Sequence, residues 1–241
     1  ETFAYYEKAK EQWKNLRIVH YEGGFNYSAI NNLGASEAKG EYYILLNNDT
    51  EVITGDWMER MLGYCQRQDV GIVGSKLLYP DDTIQHAGVV IGIGGVAGHI
   101  EVGREKTFTG YMRRLSAAQD ISAVTAACLM IKKSVFDEIG GLSEELAVAF
   151  NDVDLCLRVR ELGYLVVYDP QVQLYHYESK SRGYETTPEK IKRFQKEIDI
   201  FQKRHKDILE KGDPYYNPNL SLTRGDCAVI RLSETMKGKN S

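Results

Sequence analysis

The chain has 241 residues, of which 43% are hydrophobic and 27% charged, enough apolar material for one large α/β domain and too much for a largely disordered polypeptide. Its formal net charge of −4 excludes nucleic acid as the expected partner, because proteins that bind it normally carry a basic face. No apolar run reaches the roughly 18 residues that span a bilayer. The four cysteines are scattered and form no CxxC pair, so neither a zinc site nor a disulfide framework is indicated, and a reducing cytoplasm fits best.

The chain opens with a helix, a strand and a second helix. Apolar spacing predicts the first helix over residues 3–16 and the strand over 16–21. A Gly-Gly pair then breaks the strand and precedes a small-residue helix over 29–39. Free N–H groups at such a helix start can bind a diphosphate, so Gly24 is a candidate phosphate contact. The alternative is an ordinary β–α turn, which has the same pattern.

A buried strand over residues 42–46 is the centre of the pattern. Five apolar residues in a row are typical of a strand that is covered on both faces of an α/β sheet. Ligands in such sheets bind at the carboxyl ends of strands, so Asn47, Asn48 and Asp49 follow the strand where chemistry is usually done. A polar turn without a functional role is the alternative, because Asn and Asp are ordinary turn formers.

The middle of the chain adds core elements and two loops. We predict a helix over residues 57–65 and core strands over 71–79 and 121–132. Residues 87–98 are rich in glycine and fit a strand plus a mobile loop. Residues 101–119 are polar and aromatic without clear periodicity, and a loop of that length in a compact domain is often a functional lid.

Two carboxylates, Asp152 and Asp154, stand just before a helix that is predicted over residues 155–162. Side chains two residues apart cannot share a helix face, so one carboxylate can cap the helix while the other points into a cleft. The helix dipole would hold either carboxylate ionised, which suits a general base better than an acid. Helix capping alone is the alternative interpretation.

Two strands are predicted over residues 164–169 and 172–177, and His176 stands near the end of the second. A lone histidine is more often a structural residue than a ligand. The Ser-Lys-Ser-Arg run that follows, which contains Ser179 and Arg182, nevertheless has a composition that suits phosphate oxygens.

A long helix is predicted over residues 188–211, opened by a Thr-Pro pair. Its apolar residues form a narrow seam, which favours packing on the domain's own core, and its excess of basic residues leaves contact with an anionic membrane surface as the alternative. We predict one domain over residues 1–220 and a mobile tail over 221–241.

Five stretches in this order resemble the family 2 glycosyltransferases, specifically the rhamnosyltransferase-like members that build bacterial surface polysaccharides. They are FNYSAINNLGASEAKGEYYILLNNDTEV, SAVTAACLMIKKSVFDEIGGLSEE, FNDVDLCLRVRELGY, HYESKSRG and DPYYNPNLSL. The resemblance covers about residues 16–219. It implies a GT-A fold, which is a Rossmann-like α/β sheet flanked by helices, with a nucleotide-diphospho-sugar donor and a divalent cation, Mg²⁺ or Mn²⁺.

The resemblance also implies a role for each matching position. Asp49 ends the family's DxD-type motif and is the expected metal carboxylate, while Asn47 stands in the place of the first acid. One anionic ligand fewer leaves diphosphate oxygens to complete the shell of a hard cation. His176 occupies a position that can complete that shell, and Asp152 the position of the general base. The remaining expected contacts are with the nucleotide diphosphate, at Gly24, Asn32, Asn47, Asn48, Ser179 and Arg182, and with the sugar substrates, at Trp57, Asn151 and Asp154.

The implied reaction is transfer, with inversion, of a sugar from a UDP- or dTDP-linked donor, rhamnose being one option, to a glycan or lipid-linked glycan acceptor. We expect this reaction in the cytoplasm or at the inner face of the plasma membrane. Two other classes stay open. One is a catalytically inactive GT-A-like binding domain, and the other is a nucleotidyltransferase, in which we would expect a glycine-rich basic phosphate loop near the N-terminus.

The sequence departs from the family at its start. Family members begin with a strand reading roughly VSIIIPxYN and an acidic residue that contacts the nucleotide base, and this sequence contains neither. We therefore expect an N-terminally truncated sheet in which the strand over 16–21 lacks a neighbour, which is costly in water. The expected compensation is a homodimer formed through the exposed edge or a displaced N-terminal region, with very weak binding of UDP and dTDP.

Overall fold

The computed structural model describes residues 2–177 and 187–230. Its strands are β1 (Tyr42–Leu46), β2 (Thr50–Val52), β3 (Val70–Leu78), β4 (Ile84–His86), β5 (Val89–Ile91), β6 (Ala97–His99), β7 (Gln119–Asp120), β8 (Cys128–Lys132) and β9 (Leu165–His176). Its helices are α1 (Thr2–Gln12), α2 (Tyr27–Glu37), α3 (Trp57–Cys65), α4 (Lys133–Glu138), α5 (Asn151–Glu161), α6 (Pro188–Arg204) and α7 (Lys206–Lys211). The predicted α/β class is confirmed.

One mixed sheet organises the domain, with the strand order β1-β8-β3-β9-β2. Strand β8 runs antiparallel to both β1 and β3, whereas β3 and β9 are parallel, so β1, β3 and β9 all point the same way. Their carboxyl ends therefore share one edge of the sheet, and β8 begins at that edge. Ligand sites of α/β sheets lie at this edge. A separate two-stranded sheet pairs β5 with β6.

The core lies on both faces of β3, every residue of which is buried. Ile72 and Leu78 belong to the larger cluster with Phe201 and the buried side of α5, while Val73 and Leu77 belong to a second cluster beneath α3. Burial on both faces accounts for the continuous apolar pattern of the central strands.

The strand predicted over residues 16–21 does not form. Among the described residues this segment has no strand partner, and Leu16, Val19 and Tyr21 are exposed. Asn47 N–H donates to Ala127 C=O at the end of the β1–β8 ladder. Alternate residues of β1 therefore form backbone hydrogen bonds with β8. The residues between them direct their N–H and C=O groups to the outer edge of β1. No described strand pairs with that outer edge, and residues 16–21 do not extend the sheet there.

Two other strand predictions were wrong in their extent. Of the strand predicted over 121–132, residues 128–132 form β8 and the preceding residues are buried but irregular. The strands predicted over 164–169 and 172–177 are a single strand, β9. Its register against β3 shifts around Pro170, which fits a residue that cannot donate to a ladder and is found at bulges.

The C-terminal predictions also need correction. The helix predicted over 188–211 is broken at His205, whose backbone leaves helical geometry. Residues 221–230 are not a tail, because Ser221 N–H donates to Ala228 C=O and a bridge joins Leu220 to Val229. Residues 231–241 lie outside the described part of the chain. Across the two described ranges, no helix has both the length and the apolar character that crossing a membrane requires.

Candidate functional site

The shared carboxyl edge of the sheet brings three predicted residues together. Asn47 and Asp49 follow β1, and His176 ends β9. The His176 Nε2 atom lies 3.2 Å from Asp49 Oδ1 and 3.2 Å from Asn47 Nδ2. Strand β2 fixes this arrangement, since Thr50 pairs with His176 in the ladder and Tyr177 N–H donates to Asp49 C=O. Residues 129 positions apart in the chain therefore form one polar cluster.

Gln85 on β4 sets the tautomer of His176. Its Oε1 lies 2.7 Å from His176 Nδ1, and its Nε2 donates to the His176 C=O at 3.1 Å. An amide oxygen can only accept, so Nδ1 carries the proton and Nε2 presents its lone pair toward Asp49 and Asn47. A histidine whose second nitrogen is held in this way is oriented as metal-binding histidines are. Gln85 could not be found from the sequence, because it lies on a three-residue strand that is too short to show a periodicity.

The Asp49 carboxylate has a buried oxygen that a cation would fit. Its Oδ1 atom is buried and makes no hydrogen bond, because His176 Nε2, 3.2 Å away, has no proton to donate when Nδ1 carries it. A buried carboxylate oxygen without a partner is costly, and a cation removes that cost. Among the described residues, no third histidine, cysteine or carboxylate joins the pair, so further ligands would have to be waters or substrate oxygens.

Asp152 lies on the same edge, beside the start of β8. Its Oδ2 accepts from Ala126 N–H at 3.1 Å and its Oδ1 from Val153 N–H at 2.8 Å, and the side chain is half-buried. Tyr27 OH donates to the Ala126 C=O at 3.0 Å. Burial, and then the charge of Asp152, raise the pKa of Tyr27, so this hydroxyl stays a neutral donor. Asp152 is therefore a carboxylate in the first turn of α5 that is also bound to the backbone just before β8.

The turn before Asp152 is held by α6. Phe150 adopts a left-handed conformation, with φ of 61°, and its ring packs 5.7 Å from Phe194 and 5.4 Å from Phe201. Such backbone strain in a bulky residue persists only where its surroundings impose it, and it clusters at functional sites. Glu197, buried within α6, accepts from Val148 N–H at 2.9 Å and from the next N–H at 3.2 Å. Sequence reasoning did not find Glu197, although a carboxylate within an apolar seam is a usable signal.

Asp154 does not face the cleft, contrary to its predicted substrate contact. It is fully buried, and its carboxylate accepts from Arg158 at 2.8 Å, from Arg204 at 2.7 Å and from His205 at 2.9 Å. Burial raises the pKa of Asp154, but the His205 hydrogen bond and the two guanidinium groups outweigh it and lower the pKa to about 2. The ring of His205 reaches this carboxylate from the point where α6 ends, which accounts for the helix break.

Two asparagines predicted to contact substrates are used by the fold instead. Asn151 is buried, and its Nδ2 donates to Val148 C=O at 3.2 Å. Asn32 donates to Leu142 C=O at 2.9 Å and accepts from Leu142 N–H at 2.9 Å, which ties α2 to the turn after α4. Both amides therefore satisfy backbone groups, and neither is placed to bind a ligand.

The other predicted contacts stay predictions. Asn48 is exposed on the turn between Asn47 and Asp49, and Gly24 is exposed on the loop before α2. Trp57 packs its ring against the cluster beneath α3. Ser179 and Arg182 lie outside the described residues.

A pocket of about 260 Å³ adjoins the polar cluster. Its lining consists of Tyr79, Gln85, His99, Val102, Thr125 and His176. Thr125 precedes Ala126, whose N–H donates to Asp152, so the pocket adjoins the segment that holds this carboxylate. Sequence reasoning placed residues 87–98 in a strand plus mobile loop and missed the polar residues that border them.

Comparison with known families and proteins gives consistent results. The model of glycosyl transferase family 2 matches residues 1–140. The chain is 39% identical over 241 residues to the O-antigen biosynthesis protein RfbC of Myxococcus xanthus, covering 97% of this chain and 18% of that protein. It is 49% identical over 227 residues to protein y4gI of Sinorhizobium fredii, covering 94% of this chain and 25% of that protein. The chain thus spans a quarter or less of the length of these relatives.

Solved structures of glycosyltransferases share the fold. A mannosyltransferase from Pyrobaculum calidifontis, in complex with GDP-Man and Mn²⁺, superposes with a TM-score of 0.54 at 15% identity, over 76% of this chain and 46% of that one. GalNAc-T7 with UDP, GalNAc and Mn²⁺ superposes with a TM-score of 0.61 at 14% identity, over 84% of this chain and 40% of that one. At these identities the likeness establishes the fold, and the predicted GT-A architecture is confirmed.

Proposed function

Because this chain belongs to glycosyl transferase family 2, we propose that it carries the catalytic site for moving a sugar from a nucleotide-diphospho-sugar to a glycan acceptor. The observation that carries the proposal is the pairing of Asp49 and His176. Their facing atoms are 3.2 Å apart, one of them is a buried oxygen without a hydrogen bond, and the other is a lone pair fixed by Gln85.

A divalent cation fits between these two residues. Carboxylate oxygen suits Mg²⁺ and Mn²⁺, and two protein ligands leave room for the phosphate oxygens that such ions bind together with a substrate. When bound, the cation would supply positive charge that stabilises a departing nucleoside diphosphate. A cation on the single Nε2 lone pair would take the place of the Asn47 N–H that donates to it, so the Asn47 amide would turn away from the imidazole.

Asp152 is the proposed general base. Its two oxygens each accept one backbone N–H, which leaves further lone pairs on the carboxylate for an acceptor hydroxyl. The start of α5 favours the ionised form, so the carboxylate can take the proton of the attacking hydroxyl. Attack on the anomeric carbon opposite to the departing diphosphate oxygen forms one C–O bond as the other breaks, and a single displacement of this kind inverts the configuration.

The acceptor class is proposed from the relatives. RfbC is named for O-antigen biosynthesis, and a 60-residue stretch is 33% identical to an N-acetylglucosaminyl-diphospho-decaprenol L-rhamnosyltransferase of Mycobacterium tuberculosis, over 25% of this chain and 20% of that protein. We therefore propose a bacterial surface polysaccharide or its lipid-linked precursor as the acceptor. We also propose a donor linked to UDP or dTDP, and the name of the second relative makes rhamnose one of the sugars to test.

The test is release of nucleotide from candidate donors. The chain is incubated with UDP-glucose, UDP-N-acetylglucosamine, dTDP-rhamnose and GDP-mannose, with Mn²⁺ or Mg²⁺, and the products are separated by chromatography. We expect cation-dependent release of a nucleoside diphosphate, weaker after Asp49→Asn and unchanged after Asp207→Asn at an exposed position. Release of inorganic diphosphate would instead identify a nucleotidyltransferase, and no cation-dependent release from any donor would contradict the proposal.

Two partner predictions also remain proposals. The basic surface of α6 and α7 is proposed to contact anionic lipid while its apolar seam packs on the domain, and co-sedimentation with phosphatidylglycerol vesicles tests this contact. The outer edge of β1 is proposed to pair with a second copy of the chain, and light scattering at several concentrations tests this homodimer. A monomer that stays in the supernatant would contradict both.

A further inference from the structure

A second pair of imidazoles lies beside the proposed site and has no part in the displacement described above. His86 ends β4 and His99 ends β6. Their Nδ1 atoms are 2.9 Å apart, and their rings meet edge to face with centroids 4.9 Å apart. His86 is 1% exposed, whereas His99 lines the pocket of about 260 Å³ that it shares with His176.

The donors around this pair assign its protons. Thr125 N–H donates to His86 Nε2 at 3.4 Å, so that nitrogen carries a lone pair and the proton of a neutral His86 lies on Nδ1. His86 Nδ1–H then donates to His99 Nδ1, which places the proton of a neutral His99 on Nε2. Burial lowers the pKa of His86 well below its usual value, and the nearby His99 and His176 rings act in the same direction, so His86 stays neutral near pH 7.

The pocket bordered by His99 suits a small polar ring. It is smaller than the roughly 300–1,000 Å³ of pockets that hold drug-sized ligands. Its lining combines imidazole and hydroxyl groups with one aliphatic side chain, Val102, while the Gln85 amide is held by His176. Such a mixture matches a sugar, whose hydroxyl groups need donors and acceptors and whose C–H surface needs an apolar contact.

Adjacent peptide groups link this pocket to the proposed base. Thr125 N–H holds His86, and the next N–H, that of Ala126, holds Asp152. The imidazole pair and the carboxylate are therefore fixed to the same short segment, and a hydroxyl bound by His99 would have a defined position relative to Asp152.

We propose that His99, oriented by the buried His86, is a specificity-determining residue whose Nε2–H donates to a hydroxyl of the sugar ring bound in this pocket. His86 is the positioning residue. The inference rests on the proposed glycosyl transfer for the identity of its ligand, and the ring is that of either the donor or the acceptor.

The first experiment tests the imidazole pair without reference to activity. Long-range ¹H–¹⁵N correlation spectra of the chain labelled with ¹⁵N-histidine, recorded at pH 7.5, distinguish the two neutral tautomers. We expect a protonated Nδ1 for His86 and a protonated Nε2 for His99. His86→Phe keeps the buried volume but removes the donor, and it should turn His99 into a mixture of tautomers. A wild-type His99 protonated on Nδ1, or a mixture already present in the wild type, would overturn the inference.

The second experiment tests whether the pocket binds the sugar of the acceptor or the sugar of the donor. For the acceptor, saturation-transfer NMR uses methyl glycosides of glucose, galactose, mannose, rhamnose, N-acetylglucosamine and N-acetylgalactosamine. For the donor, calorimetry compares UDP-glucose, dTDP-rhamnose and GDP-mannose with their nucleoside diphosphates, each with Mn²⁺. His99→Ala should weaken one of these sugars about fivefold, the scale of one neutral hydrogen bond, and leave the nucleoside diphosphates unchanged. His99→Gln retains a donor and should recover part of the loss, and His20→Ala, at an exposed position, is the matched control.

The outcomes separate the two ideas. If His99→Ala weakens sugar binding but no nucleoside diphosphate binds in a cation-dependent way, the sugar-binding role of His99 is supported and the proposed function is contradicted. If the wild type binds nucleoside diphosphates with no contribution from the sugar, the sugar-binding role of His99 is overturned. Sugar binding that is unchanged in His99→Ala would overturn it as well.

Discussion

Replacing Gln85 is the sharpest test of the cation site, because Gln85 orients His176 without standing between it and Asp49. Gln85→Leu keeps most of the side-chain volume and removes both hydrogen bonds to His176, those of 2.7 Å and 3.1 Å. The imidazole is then free to rotate and to move its proton to Nε2, where it would block a cation.

The size of the effect follows from these two contacts. Loss of a partner that orients a metal-binding histidine costs about 10- to 100-fold in metal affinity. The same change leaves the buried Nδ1–H and C=O of His176 without partners, at about 1–3 kcal/mol each, so the free energy of unfolding should fall by roughly 2–6 kcal/mol. Both effects should appear together, because the same two hydrogen bonds underlie them.

The assay is electron paramagnetic resonance of free Mn²⁺, titrated with the chain in the presence of UDP. Urea unfolding of each variant supplies the stability change, and Gln195→Leu, an exposed glutamine on α6, is the matched control. A Gln85→Leu variant that is folded and binds Mn²⁺ within twofold of the wild type would refute the orientation of His176 as the basis of the site. A wild type that binds no Mn²⁺ would refute the cation site itself.

Three further predictions test the neighbouring groups. Asp152→Asn should lower sugar transfer by a factor of about 10² or more while UDP binding changes little, and unchanged turnover would leave Asp152 as a helix cap. The folded pKa of Asp154 is about 2 against an ordinary 3.8, so this group should stabilise the fold by about 2 kcal/mol above about pH 4 and lose that contribution as the pH falls through 2. Urea unfolding should show a flatter acid dependence in Asp154→Asn. Gly141→Ala should lower the free energy of unfolding more than Gly140→Ala. Both glycines have positive φ, but only a Cβ on Gly141 would meet another group, the Asn32 Oδ1 atom at 2.6 Å. Equal losses of unfolding free energy would contradict this.

The centre of the site could be predicted from local sequence. The apolar run before Asn47 identified a buried strand, and the rule that ligands bind at carboxyl ends of parallel strands placed Asp49 at the functional edge. The apolar run before His176 placed that residue at the end of another strand. Neither inference required knowledge of distant contacts, which is why both agree with the structure.

The supporting residues could not be predicted in the same way. Gln85 contacts His176 across 91 positions, and both Gln85 and His86 stand on a strand of three residues, too short to show a period. The spacing of Asp152 and Asp154 correctly separated the two carboxylates. It could not reveal that His205, 51 positions away, would meet the second one, because that contact depends on how α6 packs against α5.

The contacts between α6 and α5 also determine how the domain opens. Asp154 on α5 binds Arg204 and His205, and Glu197 on α6 holds the turn that leads into α5. Elements tied in this way tend to exchange their amide hydrogens as one unit, with a common opening free energy. Native-state hydrogen exchange should therefore find the first turn of α5 protected to the same degree as α6, and the proposed base would lose its position whenever the C-terminal helix detaches.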